Sequence, residues 1–151
     1  MAQGDQVVYN GFKEYLMKKV FDLVNDTCKI TLHTSYTPDI DTHDEWGDTG
    51  VSSTEYSTAG GYTAGGKTLA NKTVTRDNTN DRALWDADDP TWTSLTLSPA
   101  TPGHAIIRDT TPTTTPNLPL ISYIVLGTTT TNGGDYTLQF STSPSAILSL
   151  T

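Results

Sequence analysis

The sequence predicts a mainly β fold: an antiparallel β-sandwich or barrel of about eight strands with one N-terminal amphipathic helix. Three observations predict it. Thr is the commonest residue, with 29 copies in 151, and its branched side chain favours extended backbone while its hydroxyl suits a solvated sheet face. Short apolar segments recur between clusters of turn-forming residues, a spacing that belongs to antiparallel sheets. Only one stretch carries a helical period. A chain of 151 residues is the length of one domain, so the expected organisation is an N-terminal arm over 1–10 and a single domain over 11–151.

The elements follow in order. Val7-Val8-Tyr9 is an apolar tag on a polar arm, placed to dock either on the chain's own sheet or on a neighbour. Phe12, Tyr15, Leu16, Val20, Leu23 and Val24 then recur at intervals of three and four residues, which predicts a helix over 11–24 with Asn10 as its N-cap. That helix would be roughly 21 Å long. After Asn25-Asp26-Thr27 the period becomes two: Cys28, Ile30 and Leu32 alternate with Lys29, Thr31 and His33, as in a strand with one wet face. Thr34 to Ala64 has little periodicity and reads as an excursion over the surface. Further strands are expected at 67–75, 82–87, 91–97, 104–109, 120–126, 135–140 and 146–150. Turn formers separate them, including Asn132-Gly133-Gly134 and Ser143-Pro144. Trp85 and Trp92 are expected to fill the core from one hairpin.

Composition narrows the function. Lys plus Arg is 9 against 17 Asp plus Glu, a net charge of −8, which gives no general attraction for nucleic-acid phosphates or anionic lipid. No segment has the roughly 20 apolar residues of a membrane span, and the first residues lack the pattern of a signal peptide. The expectation is a soluble product with neither nucleic acid nor membrane as partner. Leu, Ile, Val and Phe total 30, a thin supply for a core, so association between copies is expected to add burial. Residues 39–89 hold 11 acids and 4 bases, whereas 110–151 hold one charged residue, Asp135. A neutral surface avoids the desolvation cost of charges at an interface. Tyr136, Leu138 and Phe140, on one face of a predicted strand, are therefore candidate contacts, together with Val7, Val8, Tyr9 and Phe12 from the arm and helix.

Sites for chemistry fare less well. Gly61 to Thr68 reads GYTAGGKT and matches the phosphate-loop spacing, but that chemistry needs a buried strand before the loop and a helix after Lys67. The flanking residues predict neither, so Gly61 to Lys67 reads as a Gly-rich loop entering a strand. Asp39 to Asp44 and Asp86 to Asp89 offer oxygens, yet neither has the spacing of a helical calcium loop. His33, His43 and His104 lack the spacing of a zinc helix, and the single Cys28 excludes an intrachain disulfide. Nothing marks a nucleophile or a pair of catalytic carboxylates. The expectation is a non-enzyme with no cofactor and no metal.

The wording of the chain adds a resemblance. Leu23 to Thr27 (LVNDT), Ser35 to Asp39 (SYTPD) with Asp41 and His43, Gly61 to Thr75 (GYTAGGKTLANKTVT), Ala83 to Trp92 (ALWDADDPTW), His104 to Ile107 (HAII) and Leu120 to Ile124 (LISYI) resemble small structural proteins of tailed bacteriophages. The likeness spans about residues 9 to 150. It implies a minor capsid protein of the decoration or cement type on the head exterior, and the expected partners are the major capsid protein and further copies of itself, as a trimer or another oligomer. The Thr110 to Pro119 insert and the Thr128 to Thr131 run are longer and more neutral than that group's pattern. A tail or head-to-tail connector subunit and a carbohydrate-binding adhesion module using Trp46 are the alternatives.

Overall fold

The computed structural model describes residues 6–142 and 145–151, so the predicted turn at Ser143-Pro144 lies outside the described residues. The protein is mainly β. In chain order the elements are β1 (Gln6–Val8), α1 (Asn10–Met17), β2 (Cys28–His33), a single 3-10 turn (Ser52–Thr54), β3 (Lys67–Thr68), β4 (Thr73–Asp77), β5 (Arg82–Asp86), β6 (Thr91–Trp92), β7 (His104–Asp109), β8 (Leu120–Val125), β9 (Tyr136–Thr137), β10 (Ser141–Thr142), β11 (Ser145–Ala146) and β12 (Leu148–Leu150). A five-stranded sheet has the order β1-β8-β7-β2-β3, a three-stranded sheet the order β12-β5-β4, and β6-β9 and β10-β11 form two-stranded ribbons. Every strand pairing is antiparallel. Among the described residues no sheet closes into a barrel.

β2 and β7 form the centre of the large sheet because both are short runs of β-branched and apolar residues. They pair from Cys28 opposite Asp109 to His33 opposite His104. Side chains alternate across the pleat, so Lys29, Thr31 and His33 share one face with Arg108, Ile106 and His104. Cys28, Ile30 and Leu32 share the other with Asp109, Ile107 and Ala105. The predicted wet face is not wet: Thr31 and His33 are as fully buried as Ile30 and Leu32. The cause is the segment from 34 to 66, which lies against that face and buries Tyr36, Val51, Tyr56 and Tyr62.

The helix is 8 residues long, not 14. Lys19 has φ of 59°, a left-handed conformation that ends the helix. Beyond it, the Asp22 carboxylate accepts hydrogen bonds from the Val24 and Asn25 amides at 3.3 and 3.1 Å. Asp26 accepts one from the Asp22 amide at 2.6 Å. These local bonds give the backbone an alternative to the helix ladder. Asn10 does not cap the helix. Its amide donates to Asp41 at 2.6 Å, and the extended N-cap position belongs to Tyr9.

Several predicted strands are shortened by single residues. Asn71 at φ 51° separates β3 from β4, and Ser94 at φ 51° stops β6 after Trp92. Trp85 and Trp92 are both 1% exposed. They do not share a hairpin: β5 pairs with β4 and β12, while β6 pairs with β9.

The shortage of aliphatic residues is met by aromatics. Tyr9, Tyr36, Tyr56, Tyr62, Tyr136, Trp85 and Trp92 all belong to one contiguous core with Phe12, Ile30, Leu32, Ile106, Ile107 and Leu120. Burying a phenol requires a partner for its hydroxyl. Tyr62 donates to Glu55 Oε1 at 2.7 Å and accepts the Leu32 amide at 3.1 Å, while Tyr56 donates to the Pro99 carbonyl at 2.8 Å.

Candidate functional site

The covered face of the large sheet gathers most of the side chains able to do chemistry. β2 supplies Thr31 and His33, β7 supplies His104 and Arg108, β8 supplies Tyr123, and the covering segment supplies Tyr36, His43, Trp46 and Glu55. All three histidines pack around or beside Tyr36, with ring centroids 5.6 Å away for His33, 5.5 Å for His43 and 5.7 Å for His104. His33 and His104, 71 positions apart, are joined because they are cross-strand partners.

Two hydrogen-bonded devices fix this cluster. In the first, Tyr9 and Tyr36 hydroxyls lie 2.6 Å apart, and the Tyr36 hydroxyl is 2.9 Å from His43 Nδ1. The Asp39 amide also donates to His43 Nδ1 at 3.3 Å. An imidazole nitrogen that receives an amide N–H is an acceptor, so Tyr36 donates to His43 and Tyr9 donates to Tyr36. Burial raises the pKa of both phenols and so opposes their ionisation, that of Tyr36 to about 12, with the Tyr9 hydrogen bond opposing the shift at Tyr36. In the second, His33 Nε2 meets Thr31 Oγ1 at 2.9 Å and Nδ1 meets Thr54 Oγ1 at 3.0 Å. Desolvation, followed by the Arg108 and His104 charges, pushes its pKa down to about 3. His33 is thus a neutral ring bonded at both nitrogens.

Arg108 is 4% exposed and stacks with its guanidinium carbon 3.5 Å from the centre of the Trp46 ring. Its Nη2 donates to the Gly65 carbonyl at 3.3 Å. Nε and Nη1 have no protein partner. Glu55, which accepts from the Gly65 amide at 2.6 Å and from Tyr62, offsets the charge through space; burial lowers the Arg108 pKa all the same. The arrangement clamps the covering segment to the sheet by cation–π contact and hydrogen bonds.

The other sequence-derived sites fall as follows. Of the candidate contacts, Tyr9, Phe12, Tyr136, Leu138 and Phe140 are each at most 5% exposed. Val7 and Val8 are half-buried in β1, paired with Tyr123 and Ser122 of β8. The arm therefore docks on its own sheet, and these side chains serve the interior. Their spacing marked them as apolar, which is equally the mark of a core residue. In the GYTAGGKT string, Lys67 and Thr68 form the exposed edge strand β3, paired with Ile30 and Lys29. Gly65 and Gly66 have φ of 94° and 74°, and a Cβ on Gly66 would collide with the Ile30 carbonyl. Gly66 thus serves a close approach of loop to strand, while Gly65 is required for its positive φ alone.

The acidic turns are occupied by their own backbone. Asp39 accepts from the Asp41 and Thr42 amides, and Asp48 from those of Asp44 and Glu45. Among the described residues no three His, Cys, Asp or Glu side chains converge as a metal site. Cys28 is buried, and desolvation with the Asp109 charge pushes its thiol up to about 12. Trp46 carries Arg108 on its face and His33 against it in an edge contact.

Sequence reasoning missed the convergence on Tyr36. The available signal was the scatter of Tyr36, Trp46, Val51, Tyr56 and Tyr62 through an otherwise polar segment, which marks a cover rather than a surface loop. No family model, curated protein or solved structure matches this chain.

Proposed function

We propose that this protein is a bacteriophage virion structural protein, a decoration or cement protein that binds the head exterior and stabilises contacts between capsomers. Its sheets would pack as an antiparallel sandwich, its partners would be the major capsid protein and further copies of itself, and it would perform no catalysis. The likeness of its sequence segments to tailed-phage structural proteins supports the reading. So does the way Tyr9, Tyr36 and His43 bond to one another, His33 to Thr31 and Thr54, and Arg108 to Gly65 inside the fold.

The observation that carries it is the outward sheet β12-β5-β4. Val74 and Leu150 register against Trp85 and Ala83, so they lie on one side of that sheet. At that side's inner end Trp85 and Leu148 are buried, while Val74 and Leu150 stand 52% and 45% exposed. β4 is also a sheet edge, with unpaired backbone groups available for another chain. Such a surface needs only modest affinity per copy, because many repeated sites on a shell multiply it.

Counting copies in purified virions tests the proposal: hundreds per particle are expected, few would mark a connector or tail subunit, and none would refute a virion role. Val74→Asp with Leu150→Asp is expected to reduce binding to shells at least about tenfold, the equivalent of about 1.4 kcal/mol, while leaving the fold intact. A light-scattering mass equal to one chain at micromolar concentration would remove self-association from the proposal.

A further inference from the structure

We propose that the side of the sheet β12-β5-β4 bearing Val74 and Leu150 seats a second copy of this chain about a two-fold axis, with Arg76 of each copy meeting Asp81 of the other. The inference rests on the reading above that copies of this protein associate, and it names the surface and the charges they use. Arg76 registers against Ala83, and Ala83 against Leu150, so all three share the side on which Val74 stands exposed.

Where the hairpin of β4 and β5 turns, this side opens into a cleft of about 380 Å³, lined by Arg76, Ala83 and Leu150 from the three strands and by turn residues that include Asp77 and Asp81. Some of its charges are already spent. The Asp77 carboxylate accepts Arg82 Nε at 2.8 Å, the Asn80 side chain at 2.7 Å and the Thr79 amide at 3.1 Å. Arg76 and Asp81 are exposed, and among the described residues neither makes an ion pair. The cleft therefore presents a cation and an anion beside an apolar wall.

A partner of one sign would attract one of these groups and repel the other. The same surface, turned by a two-fold axis, supplies a carboxylate for Arg76 and a guanidinium for Asp81, and the exposed apolar side chains then cover one another. Pairing two β4 strands edge to edge is the poorer arrangement. An antiparallel pair centred on Val74 sets Arg76 opposite Lys72 of the second copy. Centred on Thr75, it sets the two Arg76 residues on a diagonal; centred on Arg76, it sets them directly opposite. Like charges facing across strands destabilise a sheet. The copies thus meet through faces, and the edge of β4 stays open to the shell.

Sedimentation equilibrium of the full chain tests the docking. The mass is expected to rise from one chain to two within the micromolar range, and the dimer to weaken as NaCl is added. Arg76→Asp and Asp81→Arg are each expected to weaken it at least about tenfold. The double variant is expected to regain most of that loss, because the exchanged charges face each other again. Asp81 has φ of 51°, a conformation that Asn adopts as readily, so Asp81→Asn, expected to weaken the dimer in the same direction, keeps the pair testable should Asp81→Arg not fold. A mass of one chain at every concentration would overturn the proposal, as would a dimer indifferent to both single changes or a double variant no tighter than either. Virions that contain the protein while the purified chain stays single would remove this docking and leave the structural role standing. A dimer rescued by the charge exchange, in a protein absent from virions, would establish the docking and remove the role.

Discussion

Tyr36 is the residue on which the covered face of the sheet turns, since its hydroxyl stands between Tyr9 inside and His43 at the surface. Tyr36→Phe leaves the Tyr9 hydroxyl buried without its partner, and such a loss costs about 1–3 kcal/mol. The midpoint of urea unfolding is expected to fall by that amount with an unchanged slope. Two other buried residues pull the pH dependence in opposite directions. The folded pKa of His33 is depressed from 6.5 to about 3, so the unfolded chain binds the extra proton and stability falls as pH drops from about 6.5 towards 3. The folded pKa of Asp109 is raised from 3.8 to about 6 by burial first and Asp26 second, so the folded chain binds the proton more tightly and stability rises as pH drops from about 6 towards 4. The two slopes offset each other. Asp109→Asn removes the second, and its melting temperature is expected to fall more steeply below pH 6 than that of wild type. An identical pH profile for variant and wild type would contradict the opposition.

At the scale of elements, the arm and the helix behave differently from what their composition suggests. β1 completes the edge of the large sheet and leads into Tyr9, so removing residues 1–9 deletes a strand and a core side chain. The expected cost is several kcal/mol, seen as a large drop in Tm. Lys19 holds the left-handed position that closes α1. Lys19→Gly is expected to raise stability by about 0.5–1 kcal/mol, measurable by denaturant unfolding.

The sequence made some elements legible and concealed others for physical reasons. β7 is found over His104–Asp109 and β2 over Cys28–His33, as their apolar and β-branched runs predict. The helix was readable in its first two turns. Its early end was not, because the Asp22 and Asp26 side chains compete for the backbone in a way that apolar spacing does not register. The candidate contacts carry a related ambiguity: a row such as Tyr136, Leu138 and Phe140 has the same pattern whether it meets another subunit or the chain's own core. The convergence of His33, His43 and His104 depends on strand pairing, which no local spacing encodes.

At the scale of the whole molecule, the polar composition and the buried core are compatible because phenols and indoles do the work of missing aliphatics. Much of the acid excess lies in turns whose carboxylates hold backbone amides, as Asp39 and Asp48 do. Association is then expected to use apolar side chains that stand exposed, which directs attention to Val74 of β4 and Leu150 of β12. The pairing of β1 with β8 and of β5 with β12 joins the earliest described residues to ones more than a hundred positions later and joins the middle of the chain to its end. A ribosome making this polypeptide releases β1 long before that strand has anything to pair with. Until β8 and β12 have followed, Tyr9, Phe12 and Trp85 wait in an incomplete nascent chain. Productive assembly therefore depends on that chain avoiding contact with its neighbours on the polysome.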